Sequence, residues 1–346
     1  MAIFNDKDFE EFALKHTTIT MKDTFNITAT TVSPLQQIDQ NGEQRKRYQI
    51  ADGIYFNEPF FSANGFRGLL RRIMTKDMVN IIRETESNFK LKAEEFYLYS
   101  SGSSTDRKSI DVIPWDKIPT MRDNAPILSL FGAGLSGISG KCAISDLKPI
   151  TSMLQIKVLK NDKISKESIM PLTQNQIFFR TDDYLKDTML KQFVDEEDIK
   201  KWKDSHVKAV SKSKALKESG KTKKETDSNI AQVIDIESIM PNVTLSNSIN
   251  PIHGHEFTDI EIGLILSALL EISKMQIGAQ KRLGYGVLDW NIELNSESMF
   301  STICDKDYIF NKTINLSTKC KEYIYIYETW AKENYSSKID IESLSI

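Results

Sequence analysis

Ten residues at 277–286, IGAQKRLGYG, combine the residue types that a polyanion-binding loop needs. Glycines can adopt positive φ angles and carry no side chain, so we expect their main-chain NH groups to reach phosphate oxygens. Neighbouring donors would bind and neutralise the phosphates, and an aromatic ring stands between two of the glycines. The residues concerned are Gly278, Gly284, Gly286, Gln280, Lys281, Arg282 and Tyr285. We call 277–286 the glycine loop and predict that it binds phosphate.

The flanking residues predict which elements position this loop. Residues 258–275 have the apolar spacing of an amphipathic helix, and residues 287–294 alternate as a strand does. A dinucleotide-binding GxGxxG loop has the reverse order, since it follows a strand and opens a helix. A Walker phosphate-binding loop needs GK followed by Ser or Thr, which the glycine loop lacks.

A second group of candidate residues lies at the start of a predicted helix at 62–84, where Ser62 or Asn64 can cap the first turn. Arg67 and Arg71 are four residues apart and therefore share a helical face, close to NH groups that attract phosphate. The same pair fits a solvated basic stripe on a core helix. Gly65 and Gly68 favour the binding interpretation, because glycine destabilises a helix by about 1 kcal/mol and suggests close approach of another backbone.

Two further segments add candidates for nucleic-acid contacts. Lys141 follows a glycine-rich segment at 132–140 and opens a predicted strand at 141–147. Phe179 and Arg180 combine an aromatic ring with a cation, the mixture that stacks on and neutralises single-stranded nucleic acid. An ordinary strand with one exposed arginine explains the latter pair equally well.

Composition limits the other classes of site. The three cysteines, Cys142, Cys304 and Cys320, form no CxxC motif, so we expect reduced thiols. His253 and His255 have no third ligand nearby, so we predict no metal site and no cofactor.

The charge distribution does not exclude a nucleic-acid partner, although the 346-residue chain has a net charge of −3. Ten lysines against two acids give residues 200–224 a local charge of +8, on a segment that is either solvated or in contact with nucleic acid. No apolar run reaches the roughly 18 residues of a membrane span, and the first residues lack the features of a signal peptide. We therefore expect a cytoplasmic protein without membrane contact.

Three blocks in a fixed order resemble the RAMP superfamily of CRISPR-associated proteins, in particular the backbone subunit of class 1 effector complexes. The blocks are SANGFRGLLRR, the interrupted LFG, SG and GKCAISD, and IGAQKRLGYGV. The resemblance as a whole extends over about half of the chain. Within the superfamily the chain looks most like the type IV backbone subunit, followed by the type I-D and type III backbones.

The resemblance implies an α+β fold, an enlarged ferredoxin-like (RRM-like) antiparallel sheet with a protruding hairpin thumb and helical insertions. We expect a single domain over 1–346, with a loop-rich insertion at 85–124, the thumb and a lysine-rich helical insertion at 160–248, and a C-terminal extension at 295–346. The implied partners are the guide RNA, a target DNA or RNA paired with it, further copies of the chain and other effector subunits. Ser62, Asn64, Arg67, Arg71, Lys141, Phe179, Arg180 and the glycine loop are the RNA contacts expected on this basis.

Two alternatives remain at this point. Type III backbone subunits cleave target RNA through an Asp in the loop after the first strand, where this chain has Asp39, and His16, His253 or His255 could process guide RNA. No acidic or histidine cluster accompanies Asp39, so we predict a binder without catalysis. The second alternative is an α+β enzyme or adaptor outside the superfamily.

Overall fold

The computed structural model describes residues 23–39, 43–51, 54–102, 115–133, 138–150, 172–181, 195, 197, 201, 231–305 and 307–335. The predicted strand at 153–159, most of the lysine-rich segment and His16 lie outside these residues. Two compact units divide the chain: one comprises Met1–Gln174 with Glu237–Ile346, and the other comprises Asn175–Ile236.

The first unit contains a seven-stranded antiparallel sheet. Its strands are β1 (Phe25–Thr31), β6 (Cys142–Ile144), β7 (Lys148–Pro149), β10 (Thr244–Pro251), β11 (Leu288–Leu294), β12 (Glu297–Cys304) and β13 (Lys312–Leu316). They lie in the order β13-β12-β11-β1-β10-β6, with β7 also paired to β10. With the helices between them, β1, β6, β10 and β11 follow a βαββαβ path with the spatial order 4-1-3-2, which confirms the predicted α+β ferredoxin-like class.

Alternation along β1 explains why the sheet has one buried face. Phe25, Ile27 and Ala29 are buried, whereas Asn26, Thr28 and Thr30 point to the other face. The neighbouring strands keep this register, since Ala29 lies opposite Leu245 on β10 and Trp290 on β11. Helices therefore have one apolar face on which to pack.

Three long helices pack in the core, and periodicity predicted each of them: α1 (Ala63–Thr85), α5 (Asp259–Lys274) and α6 (Thr318–Asn334). Phe66 on α1 stacks on Trp290 of β11 with ring centroids 6.3 Å apart. Thr258 and Glu261 form a capping box at the start of α5. A Cβ atom on Gly263 would lie 2.2 Å from the carbonyl oxygen of Tyr323, so α5 and α6 approach too closely for any side chain there.

The predicted C-terminal extension at 295–346 belongs partly to the sheet. Strands β12 and β13 extend it beyond β11, and alternation did not predict either strand. The predicted strand at 141–147 is also shorter than expected, because only Cys142–Ile144 pairs as β6 before the chain turns into β7.

Short elements lie between the strands of the main sheet: α2 (Ala93–Ser101), α3 (Ile118–Asn124), α4 (Pro126–Phe131), and the hairpins β2 (Lys46–Ala51) with β3 (Ile54–Pro59) and β4 (Gly132–Ala133) with β5 (Ile138–Ser139). Of the described helices, none is long and apolar enough to cross a membrane. All three cysteines are buried free thiols.

The second unit contains most of a two-stranded sheet of β8 (Thr173–Thr181) and β9 (Ala231–Ile239). It falls within the segment 160–248 that we predicted to form the thumb. That prediction extends too far, because the residues from Thr244 onward form β10, which pairs with β1 in the main sheet.

Candidate nucleic-acid interface

The glycine loop closes on its own backbone between α5 and β11. The amide of Ile277 donates to the carbonyl of Gly286 at 3.0 Å, and the side chain of Gln276 donates to the carbonyls of Tyr285 at 2.7 Å and Lys281 at 3.1 Å. Gly278 has a φ of 84°, as the sequence predicted, and a Cβ atom there would lie 2.4 Å from the carbonyl oxygen of Gln36. Backbone contacts thus fix the shape of the loop.

Two consecutive glutamines connect the glycine loop to the start of α1. The carbonyl of Gln36 accepts from the amide of Ala279 at 2.8 Å. The side chain of Gln37 donates to the hydroxyl of Ser62, the N-cap of α1, at 2.9 Å and accepts from the amide of the same residue. The structure therefore brings two of the three sequence blocks together, through residues that we did not single out. The only sequence signal for them is a polar pair that begins two residues after Pro34, where β1 has ended.

Lys281 and Arg282 are the solvent-facing cations of the loop. They form a short 3-10 turn with Leu283, and all three side chains are exposed. Gln280 precedes the turn with a φ of 56°. Gly278 and Gly284, on either side of these residues, both have positive φ angles of 84° and 83°.

The glycine amides at the end of the loop have a different role from the one we predicted. The amide of Gly284 donates to the carbonyl of Lys281 at 3.0 Å, and the amide of Gly286 donates to the carbonyl of Pro34 at 2.8 Å. These donors stabilise the loop and are not available to phosphate. Tyr285 is also buried, with 3% of its surface exposed, and burial raises the pKa of its phenol. We therefore remove Tyr285 from the candidate RNA contacts.

Arg71 is part of the core, in contrast to the predicted phosphate contact. It is 4% exposed, and its guanidinium donates to the carbonyls of Leu98 at 2.8 Å, Tyr99 at 3.0 Å and Gly132 at 2.9 Å. It also lies 5.7 Å from the ring centre of Phe131. Burial, with a smaller effect of Arg67, lowers its pKa to about 10, so the group remains a cation at neutral pH. Arg71 joins α1 to α2 and the β4 hairpin.

The first turn of α1 offers fewer free amides than the sequence suggested. The carboxylate of Asp146 accepts from the amide of Ala63 at 2.7 Å, and the hydroxyl of Ser62 accepts from that of Gly65 at 3.2 Å. Asn64 is exposed and Arg67 is half-buried, and the Nε of Arg67 has no hydrogen-bond partner among the described residues. Asn64 and Arg67 remain candidates, whereas Ser62 is a structural cap.

The two helix glycines do not mark a close backbone approach. A Cβ atom at Gly68 would meet nothing within 4 Å, and one at Gly65 would meet the side chain of Gln37 at 2.4 Å. Our prediction from these glycines was wrong, although Gly65 does make room for the glutamine that links α1 to the loop.

Lys141 pairs with an acid inside the protein. Its ammonium lies 3.1 Å from one carboxylate oxygen of Glu261, and the two side chains are 13% and 3% exposed. Since the same carboxylate closes the capping box of α5, Lys141 serves to stabilise the start of that helix. Phe179 and Arg180 lie on β8, and the positions of their side chains are outside the described part of the structure.

The alternative catalytic residues have separate surroundings. The carboxylate of Asp39 accepts from the amide of Glu43 at 3.1 Å, shortly before β2. His253 is exposed after β10, and the ring of His255 lies 3.4 Å from the guanidinium of Arg122. Burial, Arg122 and Lys141 lower the pKa of His255, which favours the neutral ring. Among the described residues, no three His, Cys, Asp or Glu side chains are grouped so that they could hold a metal ion.

Comparisons with known proteins give similarity in structure but none in sequence. No family model and no curated protein matches the sequence. A chain described as "Type IV-B CRISPR Complex" is similar in structure, with a TM-score of 0.45 and 13% sequence identity, over 78% of this chain and 90% of that chain. A similarity at this level does not assign a function to this chain.

Proposed function

We propose that this chain is a guide-RNA-binding backbone subunit of a CRISPR class 1 effector complex, of the type IV kind. In this role several copies bind along one guide RNA and present it for pairing with a target DNA or RNA, together with other effector subunits. The observation that carries the proposal is the joining of two separate sequence blocks into one surface. Gln36 and Gln37 attach the glycine loop, with its exposed Lys281 and Arg282, to the first turn of α1.

This surface suits the backbone of RNA rather than particular bases. Lys281 and Arg282 are long, exposed cations that bind no carboxylate among the described residues, which is the state in which a side chain can neutralise a phosphate. Asn64 on the first turn of α1 adds an exposed amide. Contacts of this kind give affinity with little sequence preference, as a protein that coats many different guides requires.

The proposed role includes no catalysis by this chain. The carboxylate of Asp39 is engaged with the amide of Glu43, and cleavage of RNA needs a metal or a general acid at the scissile phosphate. We therefore expect complementary RNA to remain intact when it is incubated with the assembled complex and magnesium. Periodic cuts that disappear in Asp39→Ala would show instead that the chain is a target-cleaving RNase.

The central experiment measures binding of two unrelated RNAs of equal length across a salt series. For a single strand, the logarithm of the affinity should fall with the logarithm of salt by about 0.7 for each phosphate neutralised. In Lys281→Ala/Arg282→Ala the slope should shrink by about one unit or slightly more, and RNA should bind more weakly. Because exposed charges contribute little to folding, the free energy of unfolding should stay within about 0.5 kcal/mol.

Two controls separate this site from general charge effects. Lys321→Ala/Lys332→Ala removes two exposed cations from α6 and should leave RNA affinity and its salt slope unchanged. Deletion of 208–224 should weaken binding less than the loop substitutions do. If the loop variant binds both RNAs with the wild-type salt slope, the loop is only a turn and the proposed RNA contact is wrong.

A further inference from the structure

Two aromatic rings project from the turn between β12 and β13, which we call the aromatic turn and whose described residues are 305 and 307–311. Tyr308 is 69% exposed and Phe310 is 61% exposed. Hydrogen bonds connect the described residues of the turn, since the carboxylate of Asp305 accepts from the amides of Asp307 at 2.8 Å and Tyr308 at 3.4 Å. The amide of Asn311 also donates to the carbonyl of Tyr308 at 2.7 Å. The rings are thus displayed from a fixed scaffold.

Hydrogen bonds hold this turn against both ends of the glycine loop. The ammonium of Lys312 donates to the carbonyl of Ser273 at 2.6 Å, just before the loop, and to the carbonyl of Leu288 at 3.0 Å, just after it. On the other side of the turn, the amide of Cys304 donates to the carboxylate of Asp289 at 2.7 Å. The residues that flank the turn are therefore bonded to the elements that flank the glycine loop.

The aromatic turn and the glycine loop also lie next to each other at the protein surface. A Cβ atom built on Gly284 would lie 3.9 Å from the ring edge of Phe310, so this ring lies beside the end of the glycine loop. The neighbouring Leu283 is 47% exposed. Apolar and aromatic groups consequently lie beside the exposed Lys281 and Arg282.

Charge on the two sides of this surface differs in sign. Lys281 and Arg282 carry positive charge on the loop, whereas Asp307 is an exposed acid on the aromatic turn. A phosphate is attracted to the loop and repelled by the turn, but an uncharged base has no such penalty at the turn. Aromatic rings next to a cationic groove are how proteins bind single strands without reading their sequence.

We infer that Tyr308 and Phe310 stack on bases of the RNA strand whose phosphates lie against Lys281 and Arg282. This inference rests on the proposed function, and it assigns the β12–β13 turn a role that the sequence blocks do not contain. The surface would take the unpaired nucleotides of the strand, since the base faces of a paired segment are covered by their neighbours.

The test compares the full-length Tyr308→Ala/Phe310→Ala variant with Tyr325→Ala, which removes a 68% exposed ring from α6. RNA affinity is measured by fluorescence anisotropy on a normal oligonucleotide and on an abasic one of equal length. The double variant should lose roughly five- to a hundredfold in affinity for each base that stacks, with the salt slope unchanged. On the abasic strand the loss should vanish, and Tyr308→Trp/Phe310→Trp should retain wild-type affinity on the normal strand.

The outcomes distinguish this inference from the proposal on which it rests. If the wild-type protein binds no RNA, both are wrong. If it binds RNA with the salt dependence given above, but the double alanine variant binds normal and abasic strands as wild type does, only the stacking inference is wrong. A change in the oligomeric state of the RNA-free protein with unchanged RNA affinity would show that the rings contact protein, which also overturns the inference.

Discussion

Replacement of Arg71 by alanine separates a core role from an RNA-binding role. The substitution removes the hydrogen bonds to the carbonyls of Leu98, Tyr99 and Gly132. The carbonyl of Leu98 still accepts from the amide of Gly102. The carbonyls of Tyr99 and Gly132 are the two acceptors for which we count the loss of the guanidinium donor. At about 1–3 kcal/mol for each unsatisfied buried acceptor, we expect a loss of about 2–6 kcal/mol in the free energy of unfolding.

Urea denaturation measures this loss against a matched neighbour. Arg72 is exposed on the same helix, so Arg72→Ala should change the free energy of unfolding by less than about 0.5 kcal/mol. Arg71→Lys should recover only part of the loss, because one ammonium cannot reproduce the planar donors that reach several carbonyls. If Arg71→Ala is as stable as Arg72→Ala and instead weakens RNA binding with a smaller salt slope, the core assignment is refuted.

Further substitutions test the packing around the helices and the loop. The hydroxyl of Tyr327 donates to the carboxylate of Asp77 at 3.0 Å, and burial raises the pKa of that carboxyl. The contribution of Asp77 to the free energy of unfolding is therefore fully present in acid, and it is lost as pH rises through the folded-state pKa. Asp77→Asn keeps an acceptor for Tyr327; it should therefore be more stable than wild type at pH 7 in urea denaturation, and this advantage should disappear below about pH 4. Gly68→Ala should raise the thermal midpoint, since helix propensity favours alanine by about 1 kcal/mol and the added Cβ would meet nothing within 4 Å. Gly278→Ala should lower the midpoint by several degrees, because φ is 84° and the new Cβ would lie 2.4 Å from the carbonyl oxygen of Gln36; equal midpoints for the two variants would contradict the loop geometry.

Local periodicity was sufficient to predict the main helices. In α5 the apolar positions repeat every three or four residues, and Thr258 with Glu261 forms the expected start signal. Strand β1 was predicted by alternation, because one face meets the core and the other meets solvent. These elements depend mainly on neighbours in the sequence, which a single chain reveals.

The roles of the charged candidates could not be read in the same way. Arg71 binds backbone carbonyls on α2 and the β4 hairpin, and a carbonyl group has no residue type that would identify it in a sequence. Lys141 meets Glu261 across 120 residues of chain. In contrast, Lys281 and Arg282 were predicted to meet a ligand because glycines on both sides are typical of a phosphate-binding loop, and the structure leaves both side chains exposed.

The strands beyond β11 were missed for a local reason. In β12 a register shift between Ile292 and Glu293 of its partner strand breaks the strict alternation of inward and outward residues. In β13 the segment KTINL lies at the edge of the sheet and is only partly buried. Neither strand therefore has the strict alternation of apolar and polar residues by which we predicted β1.

The bonds of residues 33–37 restrict how the length of this chain can vary in evolution. Ser33 pairs with Val287, Leu35 exchanges both backbone hydrogen bonds with Ile239, and Gln37 bonds to the cap of α1. One residue added or deleted here would move these bonds out of register, and a deletion would put Ile38 where the side chain of Gln37 bonds to the cap of α1. Changes in length between β1 and α1 should accumulate after Gln37, toward the β2–β3 hairpin, and homologues should keep a constant spacing from the end of β1 to that residue.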